Sequence, residues 1–157
     1  MYKLTQPLHS AATSTPDRLA TVCQDREATW GELRGRTAKL ASGIRQLGIR
    51  AGERTAILAL NSDRYLEYLL GSWWAGATVV PMNTRWSASE HAYSLNDSGA
   101  RVLFVDAGFA PVLEQVRPAL ELELTVVYID DGEAPESALK HSRSAGMGLC
   151  PTAQRPR

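Results

Sequence analysis

The side chains able to do chemistry are scattered along this 157-residue chain rather than grouped. His9, His91 and His141 lie far apart, and none has a second ligand at metal-binding spacing. His91 falls in the first turn of a helix opened by Ser87, so it reads as a surface or capping residue rather than a general base. Cys23 and Cys150 form no CxxC pair and no Cys/His ligand set, which supports neither a zinc site nor a disulfide framework and fits a reducing cytoplasm. Asp130 and Asp131 follow an apolar run, at the strand end where open α/β sheets hold their sites, yet they read better as an acidic turn. Arg85 leaves a strand and could hold an anion; a surface or ion-paired arginine is the expectation. Trp73 and Trp74 are adjacent on a helix and project about 100° apart, so one of them at most faces a sheet.

Longer motifs test negative. A P-loop needs Gly-Lys-Ser/Thr after spaced glycines, so that backbone N–H groups surround phosphate and lysine reaches its end; the chain has no Gly-Lys dipeptide. Gly146-Met147-Gly148 follows no strand and lacks the third glycine of a dinucleotide fingerprint. No Gly-x-Ser-x-Gly elbow exists to expose a nucleophilic serine. Gly31 and Gly35 have the spacing of a close helix contact, and the arginines around them exclude a membrane helix. Types and spacings therefore assign no catalytic, no cofactor-binding and no metal-ligating residue.

The elements that would position any site are clearer. Basic and acidic residues balance at 17 each, leaving no net field for nucleic acid or an anionic membrane. Every acid lies at or before Glu136, so the body carries −4 and the tail +4. The N-terminus has no apolar secretory core, and Tyr68 to Met82, broken by Gly71, Ser72, Gly76 and Pro81, is short of the roughly 20 residues that span a bilayer.

In order, Leu8 to Thr15 predicts a short helix stopped by Pro16. Leu19–Cys23, a turn at residues 24–27 and Ala28-Thr29 suggest a hairpin. Thr29-Trp30-Gly31-Glu32 is a capping box opening a helix with Leu33, Thr37, Leu40, Ala41, Ile44 and Leu47 on one side and Gly48 at its end. Arg54 to Leu60 has the near-continuous apolar character of a central parallel strand. Ser62 or Asn61 caps the next helix, whose Leu66, Leu69, Leu70 and Trp73 are expected to lie on the sheet, worth about 6–12 kcal/mol at roughly 1.5–3 each. Thr78 to Met82 is expected as a strand entering the centre of that sheet. A second capping box, Ser87-Ala88-Ser89-Glu90, opens a helix to about Asn96. Strand Arg101–Val105, a helix from about Phe109 to Arg117 capped by Asp106, and strand Leu124–Ile129 complete a β-α-β-α-β-α-β rhythm. That rhythm predicts an α/β fold: a mostly parallel sheet, right-handed crossovers, helices on both faces.

Three stretches carry a resemblance. Ala28-Thr29-Trp30-Gly31-Glu32-Leu33 resembles the "T-[YW]-x-E-L" opening of the adenylate-forming (AMP-binding) superfamily. Trp74-Ala75-Gly76-Ala77-Thr78-Val79-Val80-Pro81-Met82-Asn83-Thr84-Arg85 resembles its "AG-x-x-x-x-P-x-N-x-R" motif in the acyl-CoA synthetase form. Leu95 to Asp106 is similar to the segment that follows. The resemblance implies the incomplete N-terminal subdomain of an adenylate-forming fold over residues 1–136, and a disordered, aberrant or frameshifted tail over 137–157. It implies an ATP-dependent acid–CoA ligase of fatty acid metabolism type, using ATP, Mg²⁺ and coenzyme A on a carboxylic acid through an acyl-adenylate. The family's phosphate loop ending Pro-Lys-Gly, its Tyr-Gly-x-Thr-Glu segment, its ribose-binding aspartate and its catalytic lysine match no residue here, so this fragment is expected to bind no cofactor and to be inactive alone. A non-catalytic α/β partner-binding module is the alternative. Nucleic acid and a transmembrane segment are not expected; self-association through an exposed sheet edge is.

Overall fold

The computed structural model describes residues 4–129, 139–140 and 150–151. A helix α1 (Gln6–Ser14) precedes a hairpin of β1 (Leu19–Cys23) and β2 (Arg26–Thr29), whose turn puts Gln24 at φ 55°. The α1 helix starts two residues before the sequence suggests because Pro7 sits in its first turn, where a missing N–H costs nothing. Then follow α2 (Trp30–Gln46), β3 (Arg54–Leu58), α3 (Asp63–Ala75), β4 (Thr78–Pro81), α4 (Ala88–Ser98), β5 (Val102–Val105), α5 (Ala110–Val116) and β6 (Thr125–Tyr128). Both capping boxes form: the Glu32 N–H donates to Thr29 Oγ1 while the Thr29 N–H donates to Glu32 Oε2 at 2.8 Å, and Ser87 and Glu90 repeat the exchange.

The sheet runs β4-β3-β5-β6, all parallel; β7 (Leu139–Lys140) pairs parallel with β6, and β8 (Cys150–Pro151) antiparallel with β7. The short β7 and β8 fall in the stretch read from sequence as a tail. Helices α2 and α3 cover one face around Leu40, Ile44, Ile57, Tyr68, Phe104 and Val127; α4 and α5 cover the other around Leu58, Leu95, Leu103, Val105 and Leu113. The expected α/β layering is therefore present.

Two expectations are corrected. β4 is the edge of the sheet among the described strands and β3 and β5 lie inside it, which suits Pro81: it has no N–H to give to a second neighbour. The second correction concerns α3, whose buried side is Asp63, Arg64, Glu67, Tyr68, Gly71, Ser72 and Ala75, whereas Leu66 is 37% exposed and Leu69, Leu70 and Trp73 are half-buried. Three local demands select that face. The buried Glu67 takes both arms of Arg36 from α2, at 2.6 and 2.7 Å. Tyr68 donates its hydroxyl to the Thr55 carbonyl at 2.7 Å, beside a Thr55–Ser72 hydroxyl contact. Gly71 lets α2 approach so closely that a Cβ there would stand 2.8 Å from Leu40 Cδ2.

Candidate functional site

Strand order reverses beside β3. From β3 the chain passes through α3 to β4 on one side; from β4 it passes through α4 to β5 on the other. The loops leaving the carboxyl ends of β3 and β5 thus diverge, and an open parallel sheet places its ligand crevice between such loops. A cavity of about 550 Å³ lies there. Leu60, Asn61, Ser62 and Arg64 line it from the β3 side, Asp106, Gly108 and Phe109 from the β5 side, and Cys23, Gln24 and Arg26 from the hairpin.

Several polar groups in the crevice are held by definite contacts. Asp106 Oδ2 accepts the Leu60 N–H at 2.8 Å, and the Asp106 N–H donates to the Leu58 carbonyl at 3.2 Å. The sequence predicts Asp106 as the side-chain cap of the following helix. The structure instead gives a 3₁₀ turn, Ala107–Phe109, with no side-chain cap, because the carboxylate is spent on the β3 loop. This bond ends β3 at Leu58, two residues before the sequence suggests, and leaves Leu60 63% exposed at the rim. Arg26 forks onto Asp63 at 3.1 and 2.7 Å and reaches Cys23 Sγ at 3.6 Å, tying the hairpin to the first turn of α3. Ser62 Oγ caps that helix by accepting the Tyr65 N–H at 3.2 Å. Its one lining carboxylate, Asp106, and its serine, Ser62, are thus engaged in backbone contacts, and no histidine is among its described lining residues. Sequence reading missed it: Arg26 and Asp63 are 37 residues apart, and strand order leaves no local trace.

The residues weighed from sequence do not converge. His9 stands edge-on to Trp74, ring centroids 4.4 Å apart, in a groove of about 460 Å³ at the C-terminal end of α3. His91 is not at the surface: it is 1% exposed, 5.9 Å from the Trp86 ring, with Nδ1 lacking a hydrogen bond. Burial pushes its pKa down, and Glu90 offsets this only in part. Arg85 is exposed in the loop after β4, where its N–H donates to Asn83 Oδ1 at 3.0 Å. His141, Asp130, Asp131 and Gly146 to Gly148 lie outside the described residues. Among the described residues no three His, Cys, Asp or Glu side chains gather to hold a metal ion, and no helix is long and apolar enough to cross a membrane.

Known proteins match this architecture. The AMP-binding enzyme family matches residues 8–155. A feruloyl-CoA synthase of Amycolatopsis sp is 47% identical over 110 residues, 69% of this chain and 22% of that protein. A fatty acid–[acyl-carrier-protein] ligase of Streptomyces coeruleorubidus is 34% identical over 131 residues, 83% of this chain and 25% of that one. The solved N-terminal domain of FACL13 from Mycobacterium tuberculosis superposes with a TM-score of 0.74 at 31% identity, over 82% of this chain and 33% of that domain. The chain thus spans about a quarter of the length of the curated relatives it matches. With the family match running over nearly all of its length and the same parallel sheet beneath it, the chain belongs to the AMP-binding enzymes.

Proposed function

We infer that this chain is the N-terminal portion of an ATP-dependent acid–CoA ligase, the part that builds the first parallel layer and the crevice at its carboxyl edge. The full reaction would join a carboxylic acid to AMP with release of pyrophosphate, then pass the acyl group to the thiol of coenzyme A. The observation that carries this reading is the family match over residues 8–155, with similarity to ligases that form CoA and carrier-protein thioesters. Adenylation needs charge stabilisation around the reacting phosphorus. No residue of this chain matches the family's phosphate loop or catalytic lysine, so the chain alone does not adenylate. Mg²⁺ finds no ligand set among the described residues, and no step is assigned to it. The family match runs through residue 155, so in this reading the family unit extends past residue 136 into the stretch read from sequence as a tail. Unpaired Cys23 supports a cytoplasmic setting.

The test is ATP–pyrophosphate exchange by the purified chain with ferulate, benzoate and a long-chain fatty acid. No exchange is expected; exchange with any of them would show that this chain holds adenylation machinery. The alternative, a non-catalytic partner-binding module, is favoured by the half-exposed apolar side of α3, and it predicts that no complex of this chain forms a CoA thioester.

A further inference from the structure

His91 is buried in the first turn of α4, and its Nδ1 has no hydrogen-bond partner among the described residues. In the neutral ring Nδ1 can stay unprotonated and donate nothing. The charged ring carries an N–H on both nitrogens, and the one at Nδ1 would be buried without an acceptor. Trp86 is the ring laid against it, centroids 5.9 Å apart and planes at 62°. Trp86 is half-buried against the core under α4 and α5, yet it belongs to the loop between β4 and α4 rather than to either element. The described hydrogen bonds of that loop are short-range: the Arg85 N–H donates to Asn83 Oδ1 at 3.0 Å, the Trp86 N–H to the Asn83 carbonyl at 3.1 Å, and the Ser87 N–H to Glu90 Oε2 at 2.8 Å. Trp86 can therefore leave His91 by rotation within the loop, with the sheet and the body of α4 intact.

The charged groups around the ring offer an imidazolium little. Glu90, its neighbour on α4, favours the charge, but its exposed carboxylate already accepts the Ser87 N–H and hydroxyl at 2.8 and 2.7 Å. Asp97 on α4 and Arg85 in the loop are exposed. From the elements packed on α4, Glu114 of α5 and Arg117 after it are exposed and paired with each other at 3.3 Å, and the exposed Glu121 meets Asn96 through its backbone N–H. Burial is the larger effect and holds the His91 pKa below its ordinary 6.5.

We propose that His91 is a proton-operated latch on this loop. Neutral, it seats Trp86 and holds residues 83–86 against the domain; charged, it is hydrated only when Trp86 swings away, so mild acid opens the loop before the domain unfolds. The strands from β4 to β6 are parallel, so this loop leaves the same carboxyl edge as the crevice, and the latch sets the order of the part of that edge that carries Asn83 and Arg85. It goes beyond the ligase reading and does not depend on it. The open form titrates near 6.5 and the closed form lower. The opening equilibrium is therefore flat above about pH 6.5 and rises by up to about tenfold per pH unit below it, until the closed-state pKa is passed.

Fluorine NMR of the full chain labelled with 5-fluorotryptophan tests this between about pH 7.5 and 5. Trp30, Trp73, Trp74 and Trp86 give one signal each, and Trp86→Phe identifies the one that matters. Below about pH 6.5 the Trp86 signal is expected to move towards that of free 5-fluorotryptophan and to gain a D2O isotope shift, while the other three hold still and far-ultraviolet circular dichroism is unchanged. His91→Gln, neutral at every pH, should abolish the movement, and His91→Leu serves if the glutamine variant does not fold. His9→Gln, on the opposite face beside Trp74, should leave it intact. Four results overturn the proposal: a Trp86 signal that holds still until the whole chain unfolds, a shift without the isotope effect, which reports charge but no opening, a movement shared by all four signals, or one that survives the His91 substitutions or is lost in His9→Gln.

Discussion

Gly71 and Gly35 provide a matched pair that measures how tightly α2 and α3 meet. Both are helical glycines, so replacing either with alanine removes the same conformational freedom from the unfolded chain and gains about 1 kcal/mol. Their surroundings differ: a Cβ at Gly35 meets nothing within 4 Å, whereas one at Gly71 lies 2.8, 2.9 and 3.2 Å from Leu40 Cδ2, Cγ and Cβ. The last two are not the tip of a flexible side chain. Leu40 is 1% exposed in the first core, so relief must come from a strained rotamer or from helices moving apart, at about 1–3 kcal/mol. Gly35→Ala is thus expected to stabilise by about 1 kcal/mol, and Gly71→Ala to be neutral or to destabilise by up to about 2. The gap between them isolates the packing cost, since the propensity gain cancels. At about 2–4 °C per kcal/mol for a chain of this size, thermal unfolding followed by circular dichroism should separate the two midpoints by several degrees. Equal upward shifts would refute the claim that Gly71 is required for the close approach.

Three further perturbations probe other parts of the fold. Arg36→Met removes the fork that holds the buried Glu67 carboxylate and should cost about 3–5 kcal/mol in denaturant unfolding, most of it recovered by adding Glu67→Met; a cost below about 1 kcal/mol would mean that the pair is effectively solvated. Burial lowers the His91 pKa below its ordinary 6.5, so the unfolded chain binds the proton first. Stability is then complete above about pH 6.5 and falls with decreasing pH, with a slope of up to about 1.4 kcal/mol per pH unit between the two pKa values. His91→Leu should flatten the midpoint between pH 5 and 6.5; Glu53 and Glu90, whose pKa values are lowered from 4.5, act only in more acid solution. Ser87→Ala removes the α4 cap and should cost about 1 kcal/mol, whereas Ser89→Ala, two residues on, should change little.

Local signals carried the elements and not their order. The two capping boxes, the glycine at positive φ after α2 and the start of β3 at Arg54 are each written within a few residues, and each appears where the sequence places it. Pairing of strands is non-local: the apolar run of β4 suggests the centre of the sheet, whereas its Pro81 suits the edge position the fold gives it. The crevice depends on the same missing information: Asp106 caps nothing and instead holds Leu60, a bond across 46 residues that no local pattern announces. The position of His91 beside Glu90 suggests the surface, whereas the fold buries it against the Trp86 ring, a contact that capping signals do not announce.

The apolar side of α3 is a different kind of miss. Periodicity reports which residues end up dry, not which surface dries them. Leu66, Leu70 and Trp73 were read as the sheet-facing side because they are the most apolar positions of the helix, yet the sheet and α2 receive Tyr68, Ser72, Gly71 and a paired Glu67 instead. A glutamate can be buried there because Arg36 comes with it, and a glycine because Leu40 needs the space; neither fact is visible along α3 alone. The apolar side is thereby turned away from the sheet, with Leu66 exposed and Leu69, Leu70 and Trp73 half-buried, so the most apolar positions of the helix are not its driest.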